Sequence, residues 1–332
     1  HQPAFTPNNK RLFVPCEAAI KVYSVKTGLW VNTINGFHGG VTSVRVHQDK
    51  LLLACSLGGD VVAFDLASGG GGDGKKFEVV WRHQVKPALH QVVPLGDKSQ
   101  DVLVVSRLVA EGEESAADTA FCRAYPKEAH SYLYRLDVES GELSKLDINL
   151  PGRAIVECRG GYVFVADRQC ATVCTLAMDS NAITILHQFK IKRAAMCMQV
   201  SLEAVDSTDA FMAIGDGTGR ITIWYYKHAT SPHHHLLLHW HSDAVRSIAC
   251  LPSGYLLSAG KESVLVLWRV ADQFKRFLPK IGDTLEHVTV TNDWSRFAVS
   301  TRANKIVFVE AASFRVPDQQ PNIVGMSGFG VG

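Results

Sequence analysis

Apolar residues in this chain come in short runs that follow no helical spacing. Val41 to Val46, Leu51 to Cys55 and Asp60 to Leu66 are three successive runs, with Glu78 to Val85 behind them. Ala194 to Leu202, Asp209 to Ile214, Arg220 to Tyr226 and Leu236 to Trp240 repeat the arrangement further on. Runs of this length, bounded by turn residues, predict strands. The turns are marked by Pro7-Asn8-Asn9, Pro252-Ser253-Gly254 and Asn292-Asp293. Cores such as Val264-Leu265-Val266-Leu267 are continuous rather than alternating, as expected of strands covered on both faces. No segment keeps a helical period over about 12 residues. The chain reads as all-β.

One segment shows how the strands are grouped. Leu257 to Trp268, LSAGKESVLVLW, is a strand, a tight turn and a strand ending on tryptophan. Before it come His241, an apolar strand through Val245, Ile248, Ala249 and Leu251, and a turn. The place of Trp268 recurs at Tyr23, Phe64, Leu136, Leu176, Trp224 and Val309, at spacings of 41, 72, 40, 48, 44 and 41. Five of these spacings match or approach the ~40–45 residues of a four-stranded WD40 unit. Seven such places predict a seven-bladed WD40-type β-propeller over residues 1–316. Its first strand is truncated at Pro3-Ala4-Phe5, and upstream residues are expected to complete it and close the ring. The chain starts at His1 without a methionine and is read as part of a longer protein. The long spacing calls for insertions. Gly-rich Ser68 to Lys76 and acidic Ala110 to Ala120, with Glu111, Glu113, Glu114 and Asp118, supply them. Residues 317–332 are rich in Gly and Pro and read as a linker.

Composition narrows the function. With 332 residues, 46% of them hydrophobic, the chain has ample material for a core. Lys and Arg total 34 against 32 Asp and Glu, a net charge of +2, so any nucleic-acid contact must come from a local patch. The eight cysteines lie mostly within apolar strands and read as free buried thiols of an intracellular protein. No apolar run approaches the ~18 residues of a membrane span.

His241, Ser258, Glu262 and Trp268 match the hydrogen-bonded tetrad of a WD repeat: the acid orients the histidine, which contacts the serine, which satisfies the indole N–H. Glu262 stands where Asp is usual, which is expected to loosen the geometry. Ser, His and an acid also make a hydrolase triad, but this serine sits within a central strand rather than at an exposed elbow. Trp224 has Ile214 and Thr218 in the Ser and acid places, and Phe64-Asp65 keeps only the aspartate of the WD dipeptide. Gly69 to Lys75 spells G-x-x-x-x-G-K, yet Lys76 replaces the required Ser or Thr and a strand follows instead of a helix, so a flexible loop is the reading. His233, His234 and His235, with His239 and His241 near, are adjacent residues whose side chains alternate in direction and do not converge on one ion. Cys170 and Cys174 lack a second pair at zinc spacing. No metal, cofactor or small-molecule substrate is expected. Two basic clusters remain: Lys190, Lys192 and Arg193, and Lys275, Arg276 and Lys280. They read as solvated loops or, otherwise, as contacts for phosphate or an acidic partner. No aromatic platform for bases is evident beside them.

The run from Leu236 to Phe308, above all ESVLVLW and FLPKIGDTLEHV, resembles the family of WD-repeat subunits of the UtpA (t-UTP) complex of the small-subunit processome. Phe13-Val14-Pro15-Cys16 leading to Val22-Tyr23-Ser24 agrees less specifically. The resemblance implies a non-enzymatic, nucleolar scaffold of early ribosome small-subunit biogenesis, docking other UtpA subunits and the leading spacer of pre-rRNA and supporting rRNA transcription. It implies that this is the first of two tandem propellers. The rival readings are an adaptor of another assembly, such as a ubiquitin ligase or a trafficking coat, and an enzyme with acids converging on the central channel, for which Asp60 and Asp216 are the residues to inspect.

Overall fold

Each apolar run becomes a strand because its β-branched and aromatic residues fit a pleated surface packed on both sides. The computed structural model describes residues 1–68, 76–95, 101–108, 130–148, 150–151, 153–167, 170–177, 181–203, 207–226, 235–317 and 323–324. They form seven antiparallel sheets arranged as blades, each built from consecutive strands. Blade one has Ala4–Phe5, Arg11–Cys16, Ala19–Ser24 and Trp30–Ile34. Blade two has Val41–His47, Leu51–Ser56, Asp60–Asp65 and Val79–Gln84. Blade three has Leu89–Pro94, Val102–Leu108 and His130–Leu136, with two short pieces, Leu143–Lys145 and Leu150–Pro151, on its outer side. Blade four has Ile155–Arg159, Tyr162–Ala166, Cys170–Leu176 and Ile183–Lys190. Blade five has Ala195–Val200, Met212–Asp216, Arg220–Trp224 and His235–His239. Blade six has Val245–Leu251, Tyr255–Gly260, Leu265–Arg269 and Phe274–Leu278. Blade seven has Leu285–Val290, Arg296–Thr301, Lys305–Glu310 and Ile323–Val324. The fold is a seven-bladed all-β propeller, and no α-helix occurs among the described residues.

The buried apolar residues fall into seven clusters, one at each junction between neighbouring blades. Blades five and six, for instance, share Phe211, Ile221, Ile223, Leu238, Ile248, Leu256 and Trp268. This explains the continuous apolar runs: each sheet buries both faces. All seven spaced residues lie on third strands and pack towards the preceding blade. Tyr23, Phe64, Leu136, Trp224, Trp268 and Val309 are buried, and Leu176 is partly so.

The ring closes on the described residues. Phe5, Leu12, Val14 and Tyr23 of blade one pack against Ala298, Ile306 and Phe308 of blade seven. The Gln2 amide donates to the Val288 carbonyl at 3.1 Å. The first strand, Ala4–Phe5, pairs with the second, Ala4 opposite Phe13 and Phe5 opposite Leu12. The outer edge of the ring extends past the expected boundary at 316. Ile323 and Val324, in the segment read as a linker, pair with Ile306 and Lys305 and give blade seven its fourth strand. The Gly-rich and acidic insertions, His233 and His234 lie outside the described residues.

Candidate interaction sites

Blade six carries the expected tetrad. The Trp268 indole N–H donates to Ser258 Oγ at 2.8 Å, His241 Nε2 meets the same hydroxyl at 2.7 Å, and His241 Nδ1 is bonded to Glu262 Oε1. His241, Ser258 and Trp268 are buried. Glu262 does not loosen the contact with His241. Its extra methylene shows elsewhere: its buried Oε2 has no hydrogen-bond partner. Gly260 is required here, because a Cβ at that position would collide with the Glu262 carboxylate and His241 Nδ1. Ser258 is closed to any substrate and its hydroxyl is already engaged on two sides. The set therefore ties the connection entering blade six to its third strand and performs no hydrolysis.

Blade two holds a second network that sequence reading missed. The His38 backbone N–H donates to Asp60 Oδ2 at 2.7 Å, the His38 ring meets Oδ1 at 2.8 Å, and Ser56 Oγ donates to Oδ2 at 2.6 Å. The Asp60 side chain is fully buried, whereas that of His38 is 68% exposed. Burial alone would raise the Asp60 pKa, but the Ser56 and His38 hydrogen bonds hold it below the ordinary carboxylate value. Strand register hid this set. Phe64 faces Leu52 as Trp268 faces Leu256, so Ala54 occupies the place of Ser258. The serine and acid lie two residues further along each strand. The signal available was the spacing Ser56-x-x-x-Asp60 downstream of His38. Asp216 is likewise engaged locally, accepting from the Thr218 N–H at 2.7 Å and its hydroxyl at 2.8 Å. Among the described residues, neither aspartate belongs to a cluster of three or more His, Cys, Asp and Glu placed to hold a metal ion.

Among its described residues, blade five has neither network. The Trp224 indole N–H has no partner, and the ring stacks instead on Phe189 at 4.5 Å and 24°.

Inner strands are tied by ion pairs and polar contacts. Arg45 of blade two reaches Glu157 of blade four at 2.6 Å, and Arg246 of blade six binds Glu286 of blade seven. The Arg159 guanidinium donates to the Leu202 carbonyl at 2.7 Å. Burial pushes the Cys55 and Cys197 thiols up to about 12 and Cys174 up to about 11, so these sulfurs stay protonated and inert. Among the described residues, no group of three or more His, Cys, Asp and Glu is placed to hold a metal ion.

The basic clusters are not equivalent. Lys190 ends the outer strand of blade four, and Lys192 and Arg193 lie in the connection to blade five, all exposed. Arg193 is held by the Thr218 hydroxyl. Lys280 occupies the corresponding connection between blades six and seven, on the His241 end of the ring. Lys275 and Arg276 are separate from it, on the outer strand of blade six. Arg276 donates to the Ser313 carbonyl at 2.6 Å, and its guanidinium lies 5.4 Å from the Phe314 ring. Beside the first cluster, Phe189 and Trp224 are buried and offer no platform. Beside Lys275, Phe277 is 51% exposed and stacks on Trp240 at 4.9 Å and 19°.

The family model of the WD repeat-containing protein 75 first beta-propeller matches residues 4–304, nearly the whole ring. The chain belongs to that family. The human WD repeat-containing protein 75 is 28% identical over 312 residues, 92% of this chain and 35% of that protein. The zebrafish (Danio rerio) protein of the same name is 27% identical over 314 residues, covering 92% and 36%. U3 small nucleolar RNA-associated protein 17 of Schizosaccharomyces pombe is 27% identical over 172 residues, 49% of this chain and 21% of that protein. The chain spans about a third of the length of the WD repeat-containing protein 75 relatives it matches.

Proposed function

We propose that this propeller is a non-enzymatic scaffold of early ribosome small-subunit biogenesis, acting in the nucleolus. The carrying observation is that nearly the whole ring matches the model of the first propeller of WD repeat-containing protein 75, while part of it is related to a protein named for its association with U3 small nucleolar RNA. The site geometry supports the same reading. Its polar networks fasten connections between strands, and the remaining charge is displayed on loops and the rim, where a rigid ring presents binding residues. Partners would be other UtpA subunits and processome proteins. Lys190, Lys192 and Lys280, on connections at the His241 end, would meet pre-rRNA phosphates or acidic partner surfaces, with Arg193 held in position by Thr218. Support of rRNA transcription belongs to the same reading. Residues beyond the seventh blade would lead towards a second propeller, in keeping with the share of the relatives that this chain covers.

The test is affinity purification of the full-length protein from cells, with crosslinking and RNA sequencing. Processome proteins and pre-rRNA leading spacer should dominate, and the RNA crosslinks should fall steeply with added salt. Dominance of ubiquitin-ligase or coat subunits would replace this reading with the adaptor one.

A further inference from the structure

Sheet edges invite other strands, and proteins usually blunt them with bulges, short length, Pro or Lys. Most outer strands of this ring are blunted. Register shifts break the pairing of the outer strands of blades one, two and four. Blade three ends in two short pieces and blade seven in two residues. The outer strands of blades five and six are not blunted in this way, and of the two that of blade six exposes phenyl rings. Phe274 to Leu278 pairs without a shift along its whole length, Phe274 opposite Arg269 and Leu278 opposite Leu265, and among the described residues no strand pairs with its far side. Phe274 and Phe277 are 55% and 51% exposed. Lys275 is an edge guard on the face it shares with Phe277, while Phe274 lies on the opposite face, so each face of the edge keeps an exposed ring.

The charge beside this edge is predominantly positive. Asp272 is taken by Arg269 at 2.6 Å, and Asp243 by Lys261 at 3.3 Å. Lys275 makes no ion pair among the described residues, while Arg276 and Lys280 add exposed positive charge beside it. The rings do not suit stacked bases. Phe277 has one face on Trp240, and the Arg269 guanidinium lies 5.4 Å from the Phe274 ring centre. What stays open is a main-chain edge flanked by apolar ring surface and cationic groups.

We propose that the outer strand of blade six accepts an extended segment of a partner protein, with alternating apolar and acidic residues, as a fifth strand of that blade. Main-chain hydrogen bonds would supply attachment; the acidic side chains would reach Lys275 on the side facing blade five, and the apolar ones, on the opposite side, would cover Phe274. This deepens the scaffold reading and rests on it for the existence of a partner.

The test uses this chain and a short fluorescent peptide of alternating Glu and Val, followed by anisotropy and by amide exchange. Controls are a peptide of the same composition in two blocks, an alternating peptide methylated on backbone nitrogens, and oligouridine. The alternating peptide should bind and protect residues 274–278, and Lys275→Glu or backbone methylation should each weaken it about tenfold or more. Phe274→Ser should do the same with the melting temperature of the ring nearly unchanged. No binding at about 1 mM peptide, equal binding of the methylated peptide, or protection elsewhere overturns the proposal. So does Lys275-dependent binding of oligouridine in place of peptide. These results are separable from the assembly reading: processome proteins that still co-purify when the peptide fails to bind would sink the edge alone.

Discussion

Blades two and six solve one problem with opposite burial. Both must fasten the connection that enters the blade to the strands beneath it, and both use a histidine, a serine and an acid. In blade six the histidine is buried between Ser258 and Glu262, and a tryptophan completes the chain of bonds. In blade two the acid is buried, and it gathers Ser56 and both the backbone and ring of an exposed His38. The requirement is a buried polar anchor whose bonds are satisfied, not a particular residue in a particular place. Blade five shows the alternative. Among its described residues there is no such anchor, and Trp224 relies on stacking and burial.

Substitutions sharpen this contrast. Trp268→Ala should cost the most, about 3–5 kcal/mol, because it opens a cavity and leaves Ser258 short of a donor. Chemical denaturation of the ring is the measurement, and a loss below 1 kcal/mol would show that the anchor in blade six is dispensable. Asp60→Ala should cost about 2–3 kcal/mol by releasing His38 and Ser56 together. Here amide exchange should show the His38 connection opening while blade six stays protected. In blade five, Ile214→Ser offers Trp224 the hydroxyl that Trp268 enjoys. The lost burial should outweigh one hydrogen bond, leaving a net cost of about 1–2 kcal/mol. A gain in stability would mean that the unpaired indole is the larger defect.

Acidity tests the anchor of blade two directly. The Asp60 pKa is depressed in the fold, so its contribution is complete above the ordinary carboxylate value and fades as pH falls through the folded value. The stability gap between the native chain and Asp60→Asn should therefore be constant above about pH 5 and narrow below about pH 4. Denaturant titrations at several pH values test this, and a gap that persists at low pH would refute it. The smallest effect belongs to Lys190→Ala with Lys192→Ala. Stability should stay within about 0.5 kcal/mol, while any salt-sensitive RNA binding falls. A filter-binding assay across salt concentrations measures it.

The architecture was legible because its cause is local and repeated. Packing a sheet between two others demands continuous apolar runs and one large residue per third strand, and both leave marks at a regular interval. The tetrad of blade six was legible for the same reason. The anchor of blade two was not, because a shift of two residues along two strands preserves the chemistry while erasing the template. The pairing of Phe277 with Trp240 was invisible too: it joins residues on different blades, and nothing in either strand alone marks the other. The boundary at residue 316 fell short since two residues, Ile323 and Val324, carry no pattern of their own.

The placement of the cores has a consequence for damage and inheritance. Because every oily seam is shared by two neighbours, no blade owns an interior. A polypeptide cut off within the ring would bare a seam on each side of the gap, and quality-control machinery would meet two sticky walls at once. The ring is thus a unit that a cell keeps whole or discards whole.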